Sequence, residues 1–401
     1  MIGKGRFLNR IFPEFKIILN EKNLMHLLHP IFLFIFAILL IVFMISDRLN
    51  EKDTKRILWF LAIVMIILAG GRNWVGADYP VYYRMYNYGF PQYTTYGDIL
   101  RKATFQPNSM EIEWLFVLLY KLCFDMGFPF FVVTFISAAA AISLLVSSFI
   151  KYSPLAAFSL LSYFMATYFF TENGQMRQGL GTAMCVYSIK YIIERKMWKF
   201  LLVMFFALGV HKSTVVFIPA YWIVTLNISG IKWIPIIVAS VIAAPFEIYT
   251  LFGGLITSIT PQDVSAAYEG YSTDTYYGNE MKSGLADLIN IFFALVIILY
   301  DRPAEKKIPY FEYFRNLALF GICLYYIFRG NTIFATRLPG SYLAFGGYFA
   351  IPGVIMAVQN YIKQTLKIGF VMYFLLFLYA FSKVNAEKGG FTTDRYDNIL
   401  W

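Results

Sequence analysis

The chain has 401 residues, of which 59% are hydrophobic and only 14% charged; soluble domains carry about 25% charged residues, so an ordinary soluble globular fold is excluded. The formal net charge of +10 suits anionic lipid headgroups or a phosphate-bearing ligand, although Lys and Arg of cytoplasmic loops explain most of the excess. The apolar residues come in runs long enough to cross a bilayer, which takes roughly 20 residues as helix. Irregular backbone cannot face lipid, so the expected fold class is an all-α polytopic membrane protein.

Residues 1–29 form a basic N-terminal extension with no small-residue cleavage site before Pro30, so no cleaved signal peptide is expected. Within it, RFLNRIFPEFKIIL (6–19) reads as an interfacial helix on the inner surface or as a loose tail. The spanning domain is placed at 30–381, with apolar segments near 30–46, 56–71, 111–126, 129–150, 154–171, 177–193, 198–211, 213–229, 231–252, 284–300, 311–329, 335–357 and 365–381. That gives about 12–13 transmembrane helices by hydropathy. Segment 111–126 is the weakest: it is short and carries Glu111, Glu113, Lys121 and Asp125, which are costly at mid-membrane. It reads as a re-entrant or interfacial helix. The basic turns 47–56, 194–199 and 301–309 read as cytoplasmic, because Lys and Arg of short loops stay inside. Residues 171–178, 211–213, 252–283 and 330–336 then fall outside. Loop 72–110 falls outside if segment 111–126 does not cross, the arrangement favoured by its charges, and inside if it does. Both long loops, 72–110 and 252–283, are rich in Tyr, Gly, Pro and Asp. Long loops on a rigid scaffold tend to carry function. The tail 382–401 is polar and reads as mobile. Cys123, Cys185 and Cys323 lie inside apolar runs and read as packing.

The chain carries no phosphate-binding Gly-rich loop, no zincin motif and no nucleophile elbow. Any energy must come from a gradient or from an activated, lipid-linked substrate. No metal and no cofactor are expected, and no nucleic acid. What remains is a set of polar residues at the outer membrane edge. In TENGQMRQ (171–178), Thr171 or Asn173 caps a helix that begins near Arg177. A helix N-terminus beside a guanidinium is an anion site; the competing reading is an arginine that snorkels to headgroups. GVHKST (209–214) brings His211 and Lys212 back to the same face, because the tight turn at 194–199 folds the two flanking segments into a hairpin. His211 can act as a general base, hydrogen-bond a phosphate, or simply end a helix. The stretch 71–88 holds Arg72, Gly76, Asp78 and the tyrosines Tyr79, Tyr82, Tyr83, Tyr86 and Tyr88, whose rings suit sugar faces or an interfacial belt. Glu111 and Glu113 read as carboxylates favoured at a helix N-terminus. Arg329 and Arg337 flank a short loop and suit phosphate or headgroups.

The ordered series G-R-x-x-x-G-x-D-Y-x-x-Y (71–82), E-x-x-F (113–116), M-R-Q-G-L-G (176–181), R-K near 195, H-K-S (211–213) and R-L-x-x-x-Y (337–342) resembles the EpsG family. These are Wzy-like polymerases of bacterial exopolysaccharide and O-antigen synthesis. No single motif is specific; the resemblance is carried by their order and spacing against the apolar segments, over roughly residues 50–350. The resemblance implies a GT-C-like glycosyltransferase of the lipid-linked type. It carries over Arg72, Asp78, Tyr79, Arg177, Gln178, His211, Arg337 and Tyr342 as the matching positions. The basic extension and the Asn-Gly ahead of Gln175 depart from the family pattern.

The expectation is a polymerase of lipid-linked repeat units in a bacterial plasma membrane. Arg177 and Arg337 take the diphosphate leaving group, and Asp78 or His211 takes the acceptor proton. Arg72 and Arg329 clamp, and Tyr79, Tyr82, Gln178, Lys212 and Tyr342 bind substrate. Its partners would be polyprenyl-diphosphate-linked oligosaccharide and membrane lipids, with a flippase and a chain-length regulator. A flippase of lipid-linked sugars is one alternative, and a glycan ligase or membrane acyltransferase another. The last is a structural subunit of a synthesis complex.

Overall fold

The computed structural model describes residues 28–106, 112–246, 281 and 284–400. Among them every regular element is a helix, and β-pairing is limited to two isolated bridges. The chain is an all-α polytopic membrane protein. Four of its helices are long and apolar enough to cross a membrane: Pro30–Arg48, Phe130–Tyr152, Thr332–Ala357 and Asn360–Val384.

Helix α1 (Pro30–Ile45) starts at a proline, whose missing N–H costs nothing at that position, with the His29 side chain accepting from Ile31 N. Helix α2 (Glu51–Gly70) is capped by Asn50, whose Oδ1 accepts from Asp53 N at 2.8 Å. The loop 72–110 folds, where described, into short helices that include α3 (Tyr79–Tyr88) and α4 (Tyr96–Ala103). Helix α5 (Trp114–Asp125) has 12 residues, about 18 Å at 1.5 Å per residue. That is well short of a hydrocarbon core of about 30 Å. Its polar residues are spent locally: Lys121 pairs with Asp125 at 2.8 Å, and Asp125 accepts from Tyr96 Oη at 2.7 Å. Segment 111–126 is thus a short helix strapped to α4, with Glu111 outside the described residues.

Helix α6 (Phe130–Tyr152) is the central post and packs mainly against α2 and α8 (Met176–Tyr187). Between them, α7 (Ala156–Tyr163) runs on as a π turn, Phe164–Tyr168. After α9 (Met197–Val210) the apolar segment 213–229 does not form one helix. It makes a 3-10 turn, Lys212–Phe217, and a four-residue helix, Ala220–Ile223. Pro219 between them has no N–H to continue the ladder. Helix α10 (Trp233–Ala243) follows; the end of segment 231–252 and the loop 252–283, apart from Met281, lie outside the described residues.

Helices α11 (Leu285–Leu299), α12 (Asp301–Lys307) and α13 (Phe311–Ile327) come next. Segment 335–357 then divides into α14 (Thr332–Arg337), α15 (Gly340–Phe345), a π turn at Gly346–Ala350 and α16 (Ile351–Ala357). The two π turns meet. The Tyr348 carbonyl accepts from Ser159 Oγ at 2.6 Å, and Thr167 Oγ1 lies 2.6 Å from Tyr348 Oη. These bonds satisfy polar groups that a π turn would otherwise leave stranded in the core. The last long helix is α17 (Asn360–Val384).

One end of the bundle is pinned by ions. Asp47, in the turn after α1, receives Lys363 and the fully buried Lys367, the latter at 2.7 Å. Buried Arg315 of α13 meets Asp301 at 2.6 Å, and Asp301 also accepts from Gly230 N at 2.7 Å. Asn316 donates to the carbonyls of Val224 and Leu226. These bonds tie the irregular 224–230 stretch to α12 and α13.

At the other end the polar tail is not loose. Thr392 and Asn398 are fully buried, and Phe391 packs on Phe32 and Phe169. The tail satisfies the backbone that leaves α2. Ile399 N donates to Gly71 O at 2.8 Å, Asn73 N to Asp397 O at 3.0 Å, and Gly76 N to Gly389 O at 2.9 Å. Asn398 Nδ2 and Tyr396 Oη both reach Leu68 O. Its polarity serves hydrogen bonding to a neighbouring strand of chain, which composition alone does not distinguish from solvation. Cys123, Cys185 and Cys323 are buried free thiols, as packing residues should be.

Candidate active site

Three close approaches, each through a glycine, build the site beside that tail. A Cβ on Gly209 of α9 would come within 2.6 Å of the Trp114 ring, so α9 and the start of α5 touch backbone to ring. A Cβ on Gly181 of α8 would meet Thr214 Cγ2 at 2.9 Å and His211 Cβ at 3.3 Å. Gly76, at φ +98°, lies against the Asn173 carbonyl, where any side chain would collide. The first two draw α5, α8 and the end of α9 together; the third seats the 72–78 turn on TENG.

What these approaches bring together is one buried carboxylate and three donors. Arg177 Nη1 lies 2.7 Å from Glu113 Oε2. His211 Nδ1 lies 3.2 Å from Glu113 Oε1, and Lys212 N donates to the same oxygen at 3.0 Å. Glu113 is 3% exposed. It stands at the N-cap of α5, yet its side chain makes no capping bond. The capping expectation therefore fails for Glu113: the carboxylate spends its acceptors on residues 64 and 98 positions away. Burial alone would raise its pKa, but the His211 bond and the Arg177 charge outweigh burial and hold it well below the usual carboxylate range. Burial holds the His211 imidazole below its usual value against the pull of Glu113. The Arg177 guanidinium also lies over Tyr82, 5.7 Å from the ring centre, and over Phe116 at 5.9 Å. Its Nε is buried without a hydrogen-bond partner, and so is Gln178 Oε1 one residue on.

The remaining candidates fall in several places. Arg72 is fully buried: it donates to Ala69 O, reaches Met176 Sδ at 3.8 Å and lies 5.8 Å from the Tyr79 ring. Asp78 precedes α3 half-buried and caps nothing with its side chain; it is not among the Arg72 contacts. Tyr79, Tyr82 and Tyr86 are buried in a cluster with Phe116, Tyr120 and Phe130, while Tyr88 is exposed. Arg337 is half-buried, and its charge bears on His211. Arg329 is engaged elsewhere, forking onto both oxygens of Asp287 and donating from Nε to Met281 O at 3.2 Å. Tyr342 is buried between Phe217 and Phe320, and its Oη donates to Val216 O at 2.8 Å.

Helix α8 begins after Gln175 with no side-chain cap, so neither Thr171 nor Asn173 plays that part. Glu172 folds back beneath the helix start instead. A Cβ on Gly179 would lie 2.9 Å from both its oxygens, and Thr171 Oγ1 donates to Oε1 at 3.1 Å. Burial in this turn pushes the Glu172 carboxyl up to about 7.

An apolar groove of about 210 Å³ opens beside the ionic cluster, lined by Leu115, Phe116, Leu118, Leu119, Leu122, Leu180 and Val210. Phe116 lies three residues after Glu113, Leu180 three after Arg177, and Val210 next to His211. Among the described residues no group of three or more His, Cys, Asp and Glu side chains is arranged to hold a metal.

The fold and site define an all-α membrane protein with a buried Arg–Glu–His cluster beside a hydrocarbon groove at one end of its helices. The chain belongs to the EpsG family, which matches it over residues 55–395, from α2 into the packed tail. No curated protein and no solved structure matches it. Family membership implies an exopolysaccharide-related role of the polymerase type, glycosyltransferase-like in its chemistry.

Proposed function

We propose that the protein joins lipid-linked polysaccharide repeat units at the outer face of a bacterial plasma membrane, on a GT-C-like scaffold. The donor is a glycan on undecaprenyl diphosphate and the acceptor a hydroxyl at the non-reducing end of a second lipid-linked unit. The observation that carries this reading is the convergence of Arg177, His211 and the Lys212 N–H on Glu113 beside an apolar groove. A diphosphate on a hydrocarbon chain needs cationic donors next to an apolar channel, and that pairing favours a lipid-linked substrate over a free nucleotide sugar.

In the reaction the acceptor oxygen bonds to the anomeric carbon and the bond from that carbon to the diphosphate oxygen breaks. The electron pair leaves on the diphosphate. Arg177 stabilises that charge through the nitrogens it does not give to Glu113, with Arg337 adding positive potential. The acceptor proton passes to His211 or Asp78. Tyr79, Tyr82 and Gln178 line the sugar side, with Arg72 beneath them. Lys212 and Tyr342 support the walls, while Arg329 stays on Asp287 and takes no part in the clamp. The groove along α5 takes the first stretch of the donor's polyprenyl chain. A flippase supplies both substrates, and a chain-length regulator acts on the product.

Complementation of a polymerase-deficient strain tests the proposal. Accumulated single repeat units on the outer face, relieved by the wild-type gene, support it. Units trapped on the inner face point to a flippase, and intact polymer that fails to reach its final acceptor points to a ligase.

A further inference from the structure

We propose that Glu113 is the positioning residue of the reaction. It holds His211 in the tautomer that presents Nε2 as the proton acceptor, which selects His211 over Asp78. The inference rests on the polymerase reading for its chemistry but on geometry for the tautomer.

An ionised carboxylate only accepts hydrogen bonds. Glu113 is ionised because it faces Arg177 at 2.7 Å. The His211 Nδ1 at 3.2 Å from Oε1 must then carry the hydrogen, and a neutral imidazole protonated at Nδ1 has its lone pair on Nε2. The Lys212 N–H on the same oxygen leaves Glu113 no freedom to turn away. Trp114, wedged against Gly209, fixes the backbone that carries it. Buried carboxylates orient catalytic histidines in this way and stabilise the imidazolium that forms on proton transfer.

The charged groups that face His211 are Glu113 at the start of α5, Arg177 on α8 and Arg337 on α14, with Lys212 adjacent in sequence. Arg177 and Arg337 disfavour the imidazolium and Glu113 favours it. When His211 Nε2 takes the acceptor hydroxyl proton, the new positive charge lies against the Glu113 carboxylate. The proton leaves to solvent after the glycosidic bond has formed and the diphosphate has departed.

The chain has only three histidines, His26, His29 and His211, so ¹⁵N-histidine NMR of the full-length protein in nanodiscs reads the tautomer directly. Single substitutions His26→Asn and His29→Asn assign the remaining signal. The expected spectrum above the titration shows His211 protonated at Nδ1 and bare at Nε2. Glu113→Gln keeps the shape and removes the charge. It should move the acid limb of the pH–rate profile to lower pH by about one unit and cut kcat by roughly 10²-fold or more, with KM little changed. Glu113→Asp should recover part of the rate. A His211 signal protonated at Nε2 in the wild type, or an acid limb unmoved in Glu113→Gln, overturns the proposal. The tautomer is measured without turnover. An Nδ1-protonated His211 in a protein that forms no polymer therefore refutes the polymerase reading and leaves the Glu113–His211 geometry standing.

Discussion

The Gly209–Trp114 contact sets the position of the site, so filling it should damage catalysis more than stability. In Gly209→Ala the new Cβ would fall 2.6 Å from Trp114 Cε2 and Nε1. Carbon atoms rest at about 3.5–4.0 Å, so the Trp114 ring and the start of α5 must retreat by about 1 Å. Overpacking of this kind costs about 1–3 kcal/mol in stability. The same displacement moves Glu113, the neighbour of Trp114, away from Arg177 and His211, and misplacement of about 1 Å costs on the order of 10²-fold in rate. The assay is the polymerisation rate per folded molecule in nanodiscs, with thermal unfolding in parallel. Gly369→Ala on α17 is the control, because a Cβ there meets nothing within 4 Å, and it should match or slightly exceed wild-type stability. A Gly209→Ala protein that keeps the wild-type rate refutes the account of how α5 and α9 place Glu113.

Other outcomes follow from the same contacts. Truncation after Asn385 removes the chain that bonds Gly71, Asn73 and Gly76. It should release the 72–78 turn, lower thermal stability, and expose a protease-sensitive site near Trp74 that the intact protein lacks. Asp301→Asn leaves the enclosed Arg315 with only Glu305, half-exposed and 3.5 Å away, as a counter-charge. Breaking a buried pair costs about 3–5 kcal/mol, and Glu305 offsets part of that. Unfolding in detergent should show that loss, while the rate per folded molecule is unchanged because the pair lies at the opposite end from Glu113. Leu118→Trp fills the apolar groove. It should weaken a polyprenyl diphosphate by tenfold or more, as read by competition with a photoreactive analogue, and leave inorganic pyrophosphate binding unaltered.

Much of the fold is legible in the sequence because hydropathy reports burial in lipid. The segments 30–46, 129–150 and 365–381 are helices close to those bounds, since each is an uninterrupted apolar run. The weakness of 111–126 was visible in its charges, and it is indeed a short helix tied to α4. Segments 213–229 and 335–357 are as apolar as their neighbours, so hydropathy could not show that the first is interrupted at Pro219 or that the second carries a π turn at Gly346–Ala350. The pairing of Arg177 with His211 followed from a hairpin and a tight turn, which are local facts. Glu113 was missed because its partners lie 64 and 98 residues away, and a glutamate before a helix ordinarily reads as a cap. Its trace was the E-x-x-F motif, whose Phe116 lies under the Arg177 guanidinium. The glycines of M-R-Q-G-L-G were legible as a motif but not as space, since Gly179 makes room for Glu172 folding back from the preceding turn and Gly181 for His211 and Thr214 from the far arm of the hairpin.

The central claim is that Arg177, on its buried carboxylate, binds the diphosphate of a lipid-linked glycan for polymerisation. The most direct measurement is the length distribution of lipid-linked glycan in cells carrying Arg177→Lys at wild-type protein levels. Lysine keeps the charge but not the forked donors. The account predicts single repeat units accumulating on the outer face, with polymer reduced by at least tenfold. Full-length polymer at the wild-type level in that strain would contradict it.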